Sequence, residues 1–126
     1  MSAPHSGGCQ CGAARFEATS DPKFISNCHC KACRKATGAA FSTWVGFNNE
    51  NVRWVTDEPS FYESSEGVRR GYCAKCGTPL TYAGDKWAGE THFLIGVMDK
   101  PEEYAPEGDA FPDEALSWTQ RIKSAT

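Results

Sequence analysis

The sequence predicts a mainly β fold with one short helix, and three observations predict it. Short runs rich in aromatic and β-branched residues recur along the middle of the chain, separated by polar turns at 57–59 and 65–67. Residues 31–37 favour a short helix, and Gly38 follows in a position suited to stop it. The seven cysteines fall into tight groups, Cys9/Cys11, Cys28/Cys30/Cys33 and Cys73/Cys76. That is the spacing of metal ligands, and an odd count argues against a fully paired disulfide framework.

In chain order, residues 7–18 hold a glycine-flanked Cys-x-Cys that runs into a stretch with Phe16 on one face, read as a metal-binding turn followed by a strand. Gly12, directly after Cys11, suits a positive-φ turn that aims amide N–H groups at the sulfurs. Asp21-Pro22 is a turn signal, and residues 23–27 read as a strand delivering the chain to Cys28. In the helix that follows, Cys33 falls in the first turn, where N–H groups and the helix dipole favour a thiolate. Residues 39–47 read as a mostly buried strand, and 52–56, 60–64 and 68–72 as further strands. Residues 72–82 resemble a zinc knuckle joining two antiparallel strands, with Gly77 mirroring Gly12. Residues 92–98 are the last clear strand; beyond Asp99 the chain is acidic and Pro-rich, with Trp118 expected to anchor the tail. Most of the strand aromatics, Phe41, Trp44, Phe47, Trp54, Phe61, Tyr62, Tyr72 and Tyr82, are assigned to the core.

At 126 residues the chain is expected to form one domain over 1–126, long enough to bury about two thirds of its unfolded surface without disulfides. An apolar fraction of 40% and a charged fraction of 23% indicate neither disorder nor a membrane span. Residues 1–8 carry no basic segment followed by an apolar one, so the expected compartment is the cytoplasm. The formal charge is −3, and the basic residues are scattered apart from the adjacent pair Arg69-Arg70, which argues against a nucleic-acid partner.

Three thiols within residues 28–33 are the informative group. A structural zinc takes four protein ligands in a closed tetrahedron, whereas a catalytic zinc keeps three and leaves a position open. The natural division is therefore Cys9, Cys11, Cys73 and Cys76 around a structural zinc, and Cys28, Cys30 and Cys33 around an open catalytic one. Two alternatives stay open at this point. Cys73/Cys76 could join two of the central cysteines and leave Cys9/Cys11 unused, or Cys30/Cys33 could act as a redox Cys-x-x-Cys. His29, between two ligand cysteines, has little freedom to reach the same metal and is assigned to support the ligands or face the substrate.

Three thiolates make zinc a poor generator of hydroxide but still hold a thiol in the fourth position deprotonated, so thiol activation fits better than hydrolysis. Arg34 and Lys35 are the candidates for holding the carboxylates of an anionic thiol such as glutathione. The competing readings are a non-catalytic zinc scaffold for a protein partner and a thiol-based metal or redox buffer.

The segments Gly8-Cys9-Gln10-Cys11-Gly12, Cys28-His29-Cys30-Lys31-Ala32-Cys33-Arg34-Lys35-Ala36-Thr37-Gly38-Ala39 and Arg70-Gly71-Tyr72-Cys73-Ala74-Lys75-Cys76-Gly77-Thr78-Pro79-Leu80 together resemble the glutathione-dependent formaldehyde-activating enzyme family, which includes centromere protein V. The resemblance spans roughly residues 7–100. It implies an Mss4-like β-sheet fold, the same two ligand sets, and a carbon–sulfur lyase reaction of the S-(hydroxymethyl)glutathione synthase type.

Overall fold

The structure, a computed structural model, describes residues 4–122. The expectation for the N-terminus rests partly on residues 1–3, which lie outside that range. The described residues form ten strands and one α-helix. The strands are β1 (His5–Gly8), β2 (Arg15–Ala18), β3 (Phe24–Cys28), β4 (Ser42–Asn48), β5 (Val52–Trp54), β6 (Ser60–Ser65), β7 (Val68–Tyr72), β8 (Pro79–Gly84), β9 (Glu90–Leu94) and β10 (Asp109–Ala110). The helix, α1, is Lys31–Thr37. The mainly β class is as the sequence predicts.

The strands make two sheets, β1-β2-β5 and β10-β3-β4-β9-β8-β7-β6. Pairing is antiparallel except for β10, which lies parallel to β3. The small sheet covers one face of the large one: Phe16 of β2 stacks on Phe93 of β9 at 3.8 Å between ring centroids, and both are fully buried. Val45, Phe47 and Leu80 complete this core. Burying each such side chain contributes about 1.5–3 kcal/mol, so sheet-on-sheet packing is a large source of stability.

Period-2 alternation sends the other residues of the large sheet to its opposite face. There a row crosses six strands through the pairs Phe24–Gly46, Gly46–His92, His92–Tyr82, Tyr82–Arg70 and Arg70–Tyr62. Gly46 makes this row possible, because a Cβ there would strike the Phe24 ring, which instead lies edge-on to His92 at 4.6 Å. Trp44 and Leu94 pack beside it with Cys28 and Cys33. The sheet is thus two-faced, one side core and the other facing the three-cysteine segment.

Strand β1 is not visible in the sequence, since His5-Ser6-Gly7-Gly8 has no apolar alternation. It forms because β2 offers it a partner and because Gly7 lets it approach the turn Ile95–Val97. A Cβ at Gly7 would meet the Val97 carbonyl oxygen and the Phe16 ring. Gly7→Ala is therefore expected to destabilise by about 3 kcal/mol, toward the upper end for overpacking because one clash is with backbone. Thermal melts should show a fall of about 10 °C, and an unchanged melt would refute the steric argument.

Four expectations are corrected. The strand expected over 92–98 is β9 to Leu94 and then a 3-10 turn that folds Val97 and Met98 into the core. Residues 39–41 belong to the turn after α1, so β4 starts at Ser42. Trp118 is 72% exposed, so it is not the buried anchor of the tail. The C-terminal segment is held instead by Tyr104, whose hydroxyl lies 2.6 Å from His5 Nδ1, and by β10 against β3. Phe61 and Tyr62 are exposed, because β6 is the edge of the large sheet.

Candidate metal centres

The first cysteine group forms from two turns of matching design. Cys9 N–H donates to the Ala14 carbonyl and Cys73 N–H to the Thr78 carbonyl, each at 3.0 Å, so each chain reverses within five residues. The reversal needs positive φ, supplied by Gly12 at 84° and Gly77 at 80°. Amides then point at sulfur: Ala14 N–H donates to Cys9 Sγ at 3.3 Å and Cys76 N–H to Cys73 Sγ at 3.5 Å. Gln10 N–H donates to Thr78 Oγ1 at 3.1 Å and ties the two turns together. The four Sγ atoms all lie within 4.8 Å of one another.

The second group is assembled by strand, turn and helix. Cys28 ends β3, the Cys30 sulfur caps α1 by accepting the Cys33 N–H at 3.3 Å, and Cys33 lies in the first helical turn. Gly38, in the left-handed conformation, closes the helix by donating to the Arg34 carbonyl at 2.7 Å. The stop at Gly38 and the place of Cys33 in the first helical turn are as the sequence predicts, whereas the cap by Cys30 is seen only in the structure. The three Sγ atoms again lie within 4.8 Å.

Sulfur separations test whether these groups fit a metal. Tetrahedral zinc with Zn–S bonds of about 2.3 Å requires S···S edges of about 3.8 Å. The observed separations are 3.6 Å for Cys9–Cys11, 3.8 Å for Cys11–Cys73 and 3.7 Å for Cys28–Cys33. All seven cysteines are free thiols. Both sulfur sets fit zinc, the first as a closed set of four donors and the second as a set of three. The grouping leaves no cysteine unused, unlike the rival partition.

Mutual hydrogen bonding and burial shift the three sulfurs of the second group in opposite directions. Hydrogen bonding from Cys28 draws Cys33 down to about 5 against the cost of burial, and Cys30 and Arg70 add to the effect. Cys28, bonded to Cys33 and buried, is pushed up. Burial, then Cys33, pushes Cys30 up. At the first group the Thr78 hydroxyl, 3.1 Å from Cys76 Sγ, brings Cys76 down to about 5.

His29 is fully buried and turned away from the sulfurs. Just past the end of β3, its N–H donates to the Ala110 carbonyl at 3.0 Å and its Nε2 meets Asp109 Oδ1 at 2.7 Å. Asn27 Nδ2 donates to the same oxygen at 3.3 Å, and these bonds hold Asp109 low against the opposing effect of burial. His29 thus fastens the cysteine loop to β10, in keeping with a supporting role rather than one facing substrate. Arg34 Nη1 donates to the carbonyls of His29 at 2.7 Å and Glu114 at 2.6 Å, linking the same loop to the C-terminal segment. Lys35 is exposed.

Sequence reasoning missed Arg70. It is 5% exposed, and its Nη2 lies 3.7 Å from Cys33 Sγ. Arg70 also lines a groove of about 460 Å³ with Trp44, Tyr62, Tyr72, Pro79 and Leu94. None of the three cysteines lines the groove, so Arg70 connects it to the sulfurs. The adjacent pair Arg69-Arg70 was the one available signal, and it does not say which arginine turns inward.

Among the described residues no helix is long and apolar enough to cross a membrane. A model of the family described as glutathione-dependent formaldehyde-activating enzyme matches residues 4–114. A Halomonas elongata protein named "Putative glutathione-dependent formaldehyde-activating enzyme" is 27% identical over 109 residues, covering 80% of this chain and 69% of the relative. A Schizosaccharomyces pombe protein named "Uncharacterized lyase" is 29% identical over 79 residues, covering 63% of this chain and 57% of its own length. A Rhodobacter sphaeroides protein of known crystal structure shares the fold, with a TM-score of 0.61 at 19% identity over 75% of this chain and 87% of that one.

Proposed function

Because the chain belongs to the glutathione-dependent formaldehyde-activating enzyme family, we propose that it is a zinc-dependent carbon–sulfur lyase that activates a small thiol, glutathione or a close analogue, for addition to formaldehyde or another small electrophile. The observation that carries this reading is the inequality of the two sulfur sets: four donors at Cys9, Cys11, Cys73 and Cys76, and three at Cys28, Cys30 and Cys33. The four-sulfur set holds a structural zinc, and the three-sulfur set a catalytic one with a position for a fourth donor. The domain is read as continuous over 1–126, with an Mss4-like arrangement of strands, and its free thiols suit the cytoplasm.

Zinc bound at the three-cysteine set supplies Lewis-acid coordination that keeps a thiol deprotonated near neutral pH. The protein's own residues do the rest. Cys28, Cys30 and Cys33 would hold the metal as thiolates, and the Arg70 guanidinium, 3.7 Å from Cys33 Sγ, favours the charged form there. Trp44 and Leu94 pack against the cysteines and limit water there. Arg34 and Lys35 on α1 offer positive charge to the carboxylates of an anionic thiol. In the addition the thiol sulfur forms a bond to the aldehyde carbon, the C=O π bond breaks, and the proton lost by the thiol ends on the oxygen.

Cobalt in the three-cysteine site provides the test. Millimolar glutathione is expected to change its ligand-field bands and add sulfur charge-transfer intensity, with a smaller change in Arg34→Ala. Glutathione and formaldehyde are expected to be consumed together. An unchanged wild-type spectrum, with cobalt confirmed in that site, would defeat the thiol-binding claim. Binding without turnover would favour the scaffold reading, and loss of the metal to a weak chelator the buffer reading.

A further inference from the structure

We propose that Arg70 is the countercharge of the three-cysteine centre, held in place by Ser64, and that it sets how readily the centre accepts a further anionic sulfur. This rests on the thiol-activation reading and names the residue that tunes it.

A buried guanidinium requires an anionic partner or a full set of acceptors. Arg70 is 5% exposed, yet among the described residues it forms no ion pair with a carboxylate. Its contacts are Nε to Ser64 Oγ at 3.1 Å, Nη2 to Cys33 Sγ at 3.7 Å, and the Tyr82 ring with the guanidinium carbon 5.3 Å from its centroid. Only the sulfur among these carries negative charge.

The charges explain why it is there. Three thiolates and one divalent cation sum to −1, and a thiolate in the fourth position would bring the total to −2. One fixed positive charge at bonding distance offsets that increase where water cannot. An N–H···S bond of this kind also withdraws electron density from Cys33. The fold positions the charge firmly: Arg70 pairs directly with Tyr82 on β8, and Tyr82 stacks in turn on His92. Arg70 Nε is anchored from the edge strand through Ser64.

The test uses the full chain with zinc in the four-cysteine site and cobalt in the three-cysteine site. Arg70→Gln is expected to move the sulfur-to-cobalt charge-transfer band to lower energy, since an N–H···S bond stabilises sulfur lone pairs. It should also weaken glutathione and 2-mercaptoethanol alike by about tenfold, equivalent to roughly 1.4 kcal/mol. Ser64→Ala removes only the Nε anchor, from an exposed strand, and should shift the band in the same direction by less; it keeps the test readable if Arg70→Gln does not fold. An unmoved band in the folded variants would overturn the proposal. So would a loss of affinity confined to glutathione, which would make Arg70 a clamp for the ligand's carboxylates. If wild type binds neither thiol while the band still shifts, the bond to Cys33 is upheld and the thiol-activation reading is what fails.

Discussion

Cys73→Ser is expected to abolish the folded state. Cys73 is 3% exposed, sits between β7 and β8, and has its Sγ 3.8 Å from that of Cys11 on the far side of the sequence. A metal held there joins residues 9–11 to 73–76 and so fastens the small sheet to the β7–β8 turn. Structural zinc contributes about 10–16 kcal/mol of folding free energy in zinc-finger peptides, comparable with the 5–15 kcal/mol of total stability usual for a domain. Serine keeps the volume but is a much weaker ligand than a thiolate. The variant should lack a cooperative transition in circular dichroism melts and collect in aggregates, and strong chelation of the wild-type protein should reproduce this. A melt as cooperative as wild type would show that the four-cysteine set does not carry the fold.

Cys30→Ser is expected to do the reverse, leaving the fold intact and reducing thiol-dependent turnover to the uncatalysed rate. Cys30 is half-buried, and its structural duty is to cap α1 by accepting the Cys33 N–H. Serine is among the preferred residues at that position, so the helix should lose no more than about 1 kcal/mol. The third sulfur donor is removed, and with it the set that distinguishes the second site. Melting and initial-rate measurements on the same preparation decide the matter. Equal destabilisation by Cys30→Ser and Cys73→Ser would remove the division into catalytic and structural centres, and full activity in Cys30→Ser would move the chemistry elsewhere.

These expectations were legible because their signals are local. A cysteine two or three residues from another, followed by glycine, specifies a turn whose amides face sulfur, and both turns form with φ near 80° at Gly12 and Gly77. The helix is equally local: its cap at Cys30 and its stop at Gly38 lie within one short segment, and its bounds are those read from the sequence. Residues 60–64 and 68–72 read as strands for a similar reason, since a polar turn joins two short β-type runs. By contrast β1 and β10 have no signal of their own. Each exists because an edge in the folded sheets offers it hydrogen bonds.

The sequence by itself determined the mainly β class, the two cysteine turns and the helix with its stop at Gly38, while the structure decided how the cysteine pairs combine into sets of four and three. Tertiary structure alone decided that Arg70 rather than Arg69 turns inward, that His29 supports the loop through Asp109 rather than facing substrate, and that Tyr104 rather than Trp118 secures the C-terminal segment. The physical reason is separation along the chain: Arg70 and Cys33 are 37 residues apart and His29 and Asp109 are 80 apart. Caps, turns and ligand spacings are set by torsions within a few residues, and can be read there. Which side of a strand is buried, and what it meets, depends on the register of strands distant in sequence, where a shift of one residue would exchange the two faces.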